Sequence, residues 1–126
     1  MALTQVVTDL IQDDAITYAK LGLEYTTTTA ITAADTVDID FKAAQVFTIT
    51  SNIAMDVTFI NAEIGDTKDL IITDAGYGAS SLTFDTTENT ITTIAGEYDA
   101  TAGTVNFIQV VCTAPNTFFL SISKSI

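Results

Sequence analysis

Paired carboxylates are the side chains of this sequence most suited to chemistry. Asp38 and Asp40 stand two residues apart in a stretch that alternates apolar and acidic residues. On a β-strand, this spacing places both carboxylates on one face, with their Cβ atoms roughly 7 Å apart. Two carboxyl groups about 5–9.5 Å apart can hydrolyse a glycosidic bond when a sugar-binding cleft surrounds them. The chain has no Trp to build such a cleft, so we predict no catalytic residues and no enzymatic activity.

Other acidic residues punctuate the later turns and could offer oxygen ligands to a cation. Calcium takes about six to eight oxygens from carboxylates, carbonyls and water, but the chain lacks the spacing of an EF-hand. We therefore interpret these acids as a solvated face and as turn residues, and predict no cofactor. A structural Ca²⁺ or Na⁺ is the alternative that stays open. The acids are Asp66, Asp69, Asp74, Asp85, Glu88, Glu97 and Asp99.

Cys112 and a glycine-rich segment are the remaining candidates for chemistry. Cys112 lies in an apolar run and is interpreted as a small buried strand residue, because the chain has no His to activate its thiol or to join it at zinc. The segment Gly76-Tyr77-Gly78 lacks the Lys and the helix of a phosphate-binding loop. We predict a loop tip, where Tyr77 could contact a sugar or a partner protein.

Charge and length limit the partners of the chain. Sixteen acidic residues face only four lysines and no arginine, which gives a formal net charge of −12 over 126 residues. Nucleic acid requires a clustered basic patch, and an anionic membrane surface would be repelled, so we expect neither partner. The N-terminal residues do not resemble a secretory signal. We expect one domain, made in a cytoplasm without a signal peptide.

The elements that must position these residues are mostly strands. From residue 37 apolar and polar side chains alternate with a period of two, which predicts half-buried strands. About eight such strands, separated by turn residues, are typical of an antiparallel β-sandwich of jelly-roll type. No long helical pattern interrupts them, so parallel βαβ units are not expected. The predicted strands are 37–41, 46–50, 55–61, 70–73, 81–85, 90–94, 105–113 and 117–123.

Residues 1–24 differ from this β-rich domain, which spans 37–126. Their apolar residues recur at helical intervals, and a short helix capped by Asp13 or Asp14 would end at Gly22. We predict an N-terminal arm for attachment or oligomerisation, followed by a linker or first edge strand over 25–36. The predicted contact residues of the arm are Leu3, Val6, Val7, Leu10 and Ile11.

The last two predicted strands carry apolar residues on both faces. Over 105–112, Phe107 and Val111 point to one side while Ile108 and Val110 point to the other. A small sandwich of this kind would expose apolar patches unless copies of the chain assemble. The sequence therefore predicts an oligomer.

Several segments form a recognisable series when taken in order. They read IQDDAITYAKL at 11–21, VDIDF at 37–41, VFTITSN at 46–52, VTF at 57–59, GD at 65–66 and LIIT at 70–73. LTF at 82–84, TTIAGEYD at 92–99 and FFLSISK at 118–124 follow. Together they resemble the β-rich modules of tailed-bacteriophage fibres, head fibres and capsid decoration proteins, although this chain lacks the Trp of many members.

This resemblance implies a structural protein on the virion surface, commonly a homotrimer. The length fits a capsid decoration (cement) protein or a short head fibre better than a long tail fibre. Its expected partners are further copies of itself and the major capsid protein or another virion protein, contacted through the arm. The alternatives are a component of the tail fibre or baseplate, or a tip module that binds a receptor or glycan.

Overall fold

The computed structural model describes residues 21–76 and 82–126, which form β-strands and one short helix, α1 (Leu23–Thr26). Alternation of buried and exposed side chains marks most of the strands, as in β4, where every second residue is buried. The strands are β1 (Thr28–Ile31), β2 (Thr36–Asp40), β3 (Val46–Ser51), β4 (Met55–Ile60), β5 (Thr67–Asp74), β6 (Leu82–Phe84), β7 (Thr90–Ala95), β8 (Val105–Ala114) and β9 (Thr117–Lys124).

The strands form two sheets between which the chain passes repeatedly. The large sheet has six strands in the order β1-β3-β5-β8-β9-β7, and the small sheet has three in the order β2-β4-β6. β1, β3 and β5 pair in parallel, as do β2, β4 and β6. Successive coils therefore stack as a parallel β-solenoid. β8 then runs antiparallel to both β5 and β9, and β7 pairs in parallel with β9.

The predicted antiparallel jelly-roll sandwich is wrong, although the all-β class is confirmed. Each predicted strand is found within a few residues of its expected position. Alternation cannot reveal strand direction, because side chains alternate in the same way in parallel and antiparallel strands. Parallel neighbours need a crossover of a dozen or more residues, usually a helix. Here a strand of the opposite sheet serves instead, since β2 lies between β1 and β3 in the chain, and β4 lies between β3 and β5.

The hydrophobic core lies between the two sheets and is centred on aromatic rings. The Phe118 ring on β9 lies 4.9 Å from the Phe59 ring on β4 and 5.7 Å from the Phe41 ring, measured between centroids. Phe84 stacks on the other side of Phe59 at 5.6 Å. Such aromatic pairs add about 0.5–1.5 kcal/mol each beyond their buried area. This cluster therefore joins the end of the chain to the coils of the solenoid.

Two buried asparagines use their side-chain amides to pair with backbone N–H and C=O groups, as a neighbouring strand would. The Asn89 amide accepts from the backbone N–H of Phe59 at 2.9 Å and donates to its carbonyl at 3.2 Å. Asn106 makes the same pair of bonds with Asp99, at 2.8 and 2.9 Å. Every buried side-chain N or O atom of the described residues has a hydrogen-bond partner, so no polar group there pays an uncompensated desolvation cost.

The N-terminal part of the described chain differs from the expected arm in one respect. Gly22, predicted to end a helix, is instead the N-cap of α1. β1 lies within 25–36 and forms one edge of the large sheet. Within 21–76 and 82–126, no helix combines the length and apolar character that a membrane crossing requires.

Candidate assembly surface

The outward side chains of the large sheet form a surface with almost no charge, which we call the neutral face. One row across this face runs from β1 to β9 through Ala30, Thr48, Ile71, Phe107 and Ser123. All six strands lie within the described residues, and Asp69 is the only charged side chain that points outward from them. In a chain of net charge −12, such a face is a large uncharged exception.

Apolar side chains and two shallow grooves occupy the neutral face. Phe119 on β9 is 39% exposed and Ile94 on β7 is 66% exposed, and Val111 on β8 pairs directly with Phe119. A groove of about 340 Å³ lies among these residues and Gln109. A second groove of about 430 Å³ lies over β1, β3 and β5, lined mainly by small residues such as Ala30 and Thr48. Neighbouring exposed apolar side chains make this face a candidate interaction site.

The outward side chains of the small sheet form an acidic face of different design. It carries Asp38 and Asp40 on β2 and Asp56 on β4, and Asp85 follows β6 directly. The Thr83 hydroxyl donates to Asp56 Oδ1 at 2.9 Å. Across the strands each aspartate stands opposite Thr or Ile instead of another carboxylate. This alternation of carboxylates with uncharged residues across the strands avoids the direct pairing of like charges, which would destabilise the sheet.

Asp38 and Asp40, the carboxylates considered for hydrolysis, share the outer face of β2. Asp40 already has local partners, because its Oδ1 accepts from the backbone N–H of Lys42 at 2.9 Å and from the Asn61 amide at 3.0 Å. These bonds fix the turns after β2 and β4. The geometry assigns Asp40 to turn formation and gives Asp38 a place on the exposed acidic face.

Two of the other candidate cation ligands, Asp66 and Asp85, are likewise engaged in turns. Asp66 Oδ2 accepts from the backbone N–H of Glu63 at 2.8 Å. Asp85 accepts from both the hydroxyl and the backbone N–H of Thr87, at 2.6 and 2.7 Å, and these bonds lower the pKa of Asp85. Among the described residues, no three metal-ligating side chains converge as a cation site would require. The calcium alternative stays a prediction.

Asp74 is a buried carboxylate at the end of β5. Its Oδ2 accepts from the Tyr98 hydroxyl at 3.0 Å, and its Oδ1 accepts from the backbone N–H of Gly76 at 2.7 Å. Burial, followed by this hydrogen bond to Asp74, raises the pKa of Tyr98 to about 12. The pair ties the loop after β7 to the large sheet from inside the molecule.

The lysines of the described chain are held by acidic groups or buried. Lys42 bridges Glu24 and Glu63, both at 3.1 Å, and these contacts raise the pKa of Lys42. Lys124 lies 2.6 Å from Asp99, and its hydrogen bond holds the pKa of Asp99 well below its usual range. Lys42, Lys68 and Lys124 lie on separate elements, so they form no basic patch within the part of the chain that the structure describes.

Lys68 is a functional side chain that the sequence analysis missed. It is buried beneath α1, donates to the backbone carbonyl of Glu24, and lies 5.2 Å from the centroid of the Tyr25 ring. Burial lowers the pKa of Lys68. The signal was present in the alternation, because residue 68 shares its parity with Leu70 and Ile72, which point inward. Lys68 therefore fastens α1 to β5.

The residues predicted to make contacts cannot be placed on either face. Leu3, Val6, Val7, Leu10, Ile11 and Tyr77 lie outside the described residues. Cys112 is buried on β8, where its thiol donates to the Ala114 carbonyl at 3.3 Å and burial raises its pKa. A thiol in this environment is a poor nucleophile.

Comparison with protein-family models, curated proteins and solved structures finds no match for this chain. Its function must therefore be inferred from the chemistry of its own surfaces. The neutral face and the acidic face are the two large surfaces that the fold presents.

Proposed function

We propose that the protein is a structural component of a tailed-bacteriophage virion, a homotrimeric capsid decoration (cement) protein or a short head fibre. The neutral face is the observation that carries this proposal. A chain of net charge −12 has kept one whole sheet surface free of charge except at Asp69. Copies of the chain, or another virion protein, can approach this surface without facing an array of carboxylates.

The energetics favour assembly through this face. Apolar burial contributes roughly 25 cal/mol per Å², so burial of about 1,000 Å² of apolar surface gives ~25 kcal/mol before the costs of association. Like charges on other surfaces are screened over about 8 Å at physiological ionic strength. The acidic face can then point away from the contact and keep densely arrayed copies soluble.

The family resemblance supports the same proposal. The quoted segments at 37–41, 46–52, 57–59, 70–73 and 82–84 coincide with β2, β3, β4, β5 and β6, which are consecutive strands of the solenoid. The resemblance therefore lies on the repeating part of the fold. Under this proposal the solenoid is the displayed body, and residues 1–24 attach it to the particle.

Oligomeric mass and particle binding test the proposal together. By light scattering we expect a trimer of the 13.4 kDa chain, and by co-sedimentation we expect binding to phage particles that lack the protein. Phe119→Ser on the neutral face should weaken assembly or particle binding at least tenfold. Ile64→Ser is the matched control, because Ile64 is exposed (68%) in the turn before β5, outside the strands that form that face. A chain that stays monomeric at high concentration and does not co-sediment with the particles would contradict the proposal.

Further measurements separate this function from its alternatives. Removal of residues 1–20, which keeps α1 and the bond from Lys68 to Glu24, should abolish attachment to the particle, whereas the oligomeric solenoid should persist. Many copies per particle would indicate a head protein, and only a few would indicate a tail or baseplate component. Binding on a glycan array that Tyr77→Ala removes would favour a receptor-binding tip instead.

A further inference from the structure

The large sheet ends in two edge strands that are both uncharged. β1 has the sequence TTAI and β7 has the sequence TITTIA, without Gly, Pro or a charged residue. In the described parts of the chain, β1 pairs only with β3 and β7 pairs only with β9. The free backbone groups of such an edge are a template for another strand, and natural sheets usually protect their edges with charges, Pro, β-bulges or very short strands. β7 keeps a regular register with β9 over Thr90–Thr93, before a bulge that precedes Ala95.

The small sheet protects its edges in this way, unlike the large sheet. Its edge strand β2 carries Asp38 and Asp40, and its other edge, β6, has only three residues and is followed by Asp85. Within the described residues, acidic side chains and a three-residue strand therefore protect the edges of the small sheet, whereas β1 and β7 carry no charged residue. This contrast indicates that the edges of the large sheet are used for pairing.

The directions of the strands determine which pairing uses both edges. β1, β3, β5, β9 and β7 all run the same way, and β8 alone is reversed. β1 and β7 are therefore parallel to each other at opposite edges of one sheet. If β7 paired with β7 of a second copy around a two-fold axis, the pair would be antiparallel and both β1 edges would stay open. A head-to-tail contact between β7 and β1 repeats from copy to copy and, when it closes, leaves no open edge.

We propose that β7 of one copy pairs in parallel with β1 of the next, so that the large sheets join into a closed ring. The number of copies, three, rests on the proposed function. The side chains are compatible, because Ile31 and Ile91 lie on the inner side of their strands and Ala30 and Thr92 on the outer side. Pairs of β-branched residues favour such strand contacts, and no carboxylate lies on either strand.

Cross-linking between engineered cysteines tests this pairing. Ala30→Cys lies on β1 and Thr92→Cys on β7, and neighbouring strands are about 4.8 Å apart, within reach of a short bis-maleimide. The double variant should give a denaturing-gel ladder that stops at the trimer, and a mixture of the two single variants should give a cross-linked dimer. Each single variant alone should stay uncross-linked. The parent chain is the background control, because its only cysteine, Cys112, is buried.

Charge insertion provides a second, independent test. Thr92→Asp on β7 should weaken oligomer formation at least tenfold. Thr36→Asp on β2 places a carboxylate opposite Asp56 and should lower the stability of the small sheet slightly, but it should leave the oligomer unchanged. Both positions are exposed threonines on edge strands and receive the same charge. Circular dichroism of both variants shows that the solenoid is folded.

The outcomes separate this inference from the proposed function. Cross-linking of Thr92→Cys with itself would overturn it in favour of antiparallel dimers, and a ladder beyond three copies would overturn the closed ring. A particle-binding trimer that neither cross-links nor responds to Thr92→Asp would refute the edge pairing while the proposed function stands. A monomeric parent chain would refute both.

Discussion

The same three coils contribute to both the neutral face and the acidic face, and β7, β8 and β9 extend the neutral face alone, yet the chemistry of the two faces differs. On the neutral face, Ile71 of β5 stands beside Phe107 of β8, whereas on the acidic face Asp56 of β4 stands beside Thr83 of β6. Each coil passes through both sheets and so contributes to both faces. Within each coil, the carboxylates therefore lie mainly on or beside the strand that belongs to the small sheet. This arrangement concentrates repulsion on one side of the molecule and leaves the other side available for contact.

Substitutions of Phe118 and Phe119 compare the inner and outer sides of the large sheet. They should give the largest difference in the free energy of unfolding. Phe118→Ala removes the ring that contacts Phe41 and Phe59, and should lower the free energy of unfolding by about 3–5 kcal/mol. Phe119→Ala, on the adjacent position but the outer side, should cost about 1 kcal/mol or less and weaken assembly instead. Chemical denaturation and light scattering measure the two effects. Equal losses of stability would show that the neutral face is part of a folding core.

Substitution of Gly96 measures how closely the backbone after β7 packs against β9. Gly96 follows β7 with φ +77°, and a Cβ at this position would collide with the carbonyl oxygen of Ile122 on β9. Gly96→Ala should therefore lower the free energy of unfolding by about 2–4 kcal/mol, through backbone strain and overpacking. Gly65→Ala is the control, since Gly65 also has a positive φ but open space around it. Its cost should be only the strain, about 1–2 kcal/mol; equal costs would exclude the collision.

The dependence of the free energy of unfolding on pH reports on Tyr98, which is hydrogen-bonded on the buried side of the large sheet. Its pKa is about 12 in the folded protein and about 10 in the unfolded chain. The stabilisation is therefore complete below about pH 10 and is lost as pH rises towards 12, because the unfolded chain releases the proton first. Tyr98→Phe should cost about 1–2 kcal/mol at pH 7 through the lost hydrogen bond to Asp74. It should also remove part of the decline in stability above pH 10; an unchanged alkaline profile would contradict the assignment.

Single charges on the two faces should have the smallest effect. Asp69→Asn on the neutral face and Asp38→Asn on the acidic face should each change the free energy of unfolding by no more than about 0.5 kcal/mol. Only Asp69→Asn should strengthen oligomer formation, by a few-fold at low ionic strength, because it removes the outward carboxylate of the large sheet, the sheet that assembly brings together from several copies. The difference should disappear at high salt. A similar gain from Asp38→Asn would show that net charge matters and that its location does not.

Much of the local structure could be predicted from particular residues. The alternation around Val37 and Ile39 marked β2, and the parity of Leu70 and Ile72 marked the inward side of β5. The apolar residues on both sides of β8 marked a strand with Ile108 and Val110 in the core and Phe107 on its outer side. The burial of Lys68 could not be predicted from the sequence, because an inward lysine is stabilised only by groups distant in the chain. α1 supplies the Glu24 carbonyl and the Tyr25 ring that surround it.

The sequence by itself determined where the strands lie and which side of each strand is apolar, because both depend on a period of two that neighbouring residues set. Tertiary structure decided the direction of pairing, since parallel and antiparallel strands bury their side chains with the same period. It also decided that outward residues of alternate strands would gather into one neutral and one acidic face. That outcome depends on which strands share a sheet, a relation between distant segments of the chain.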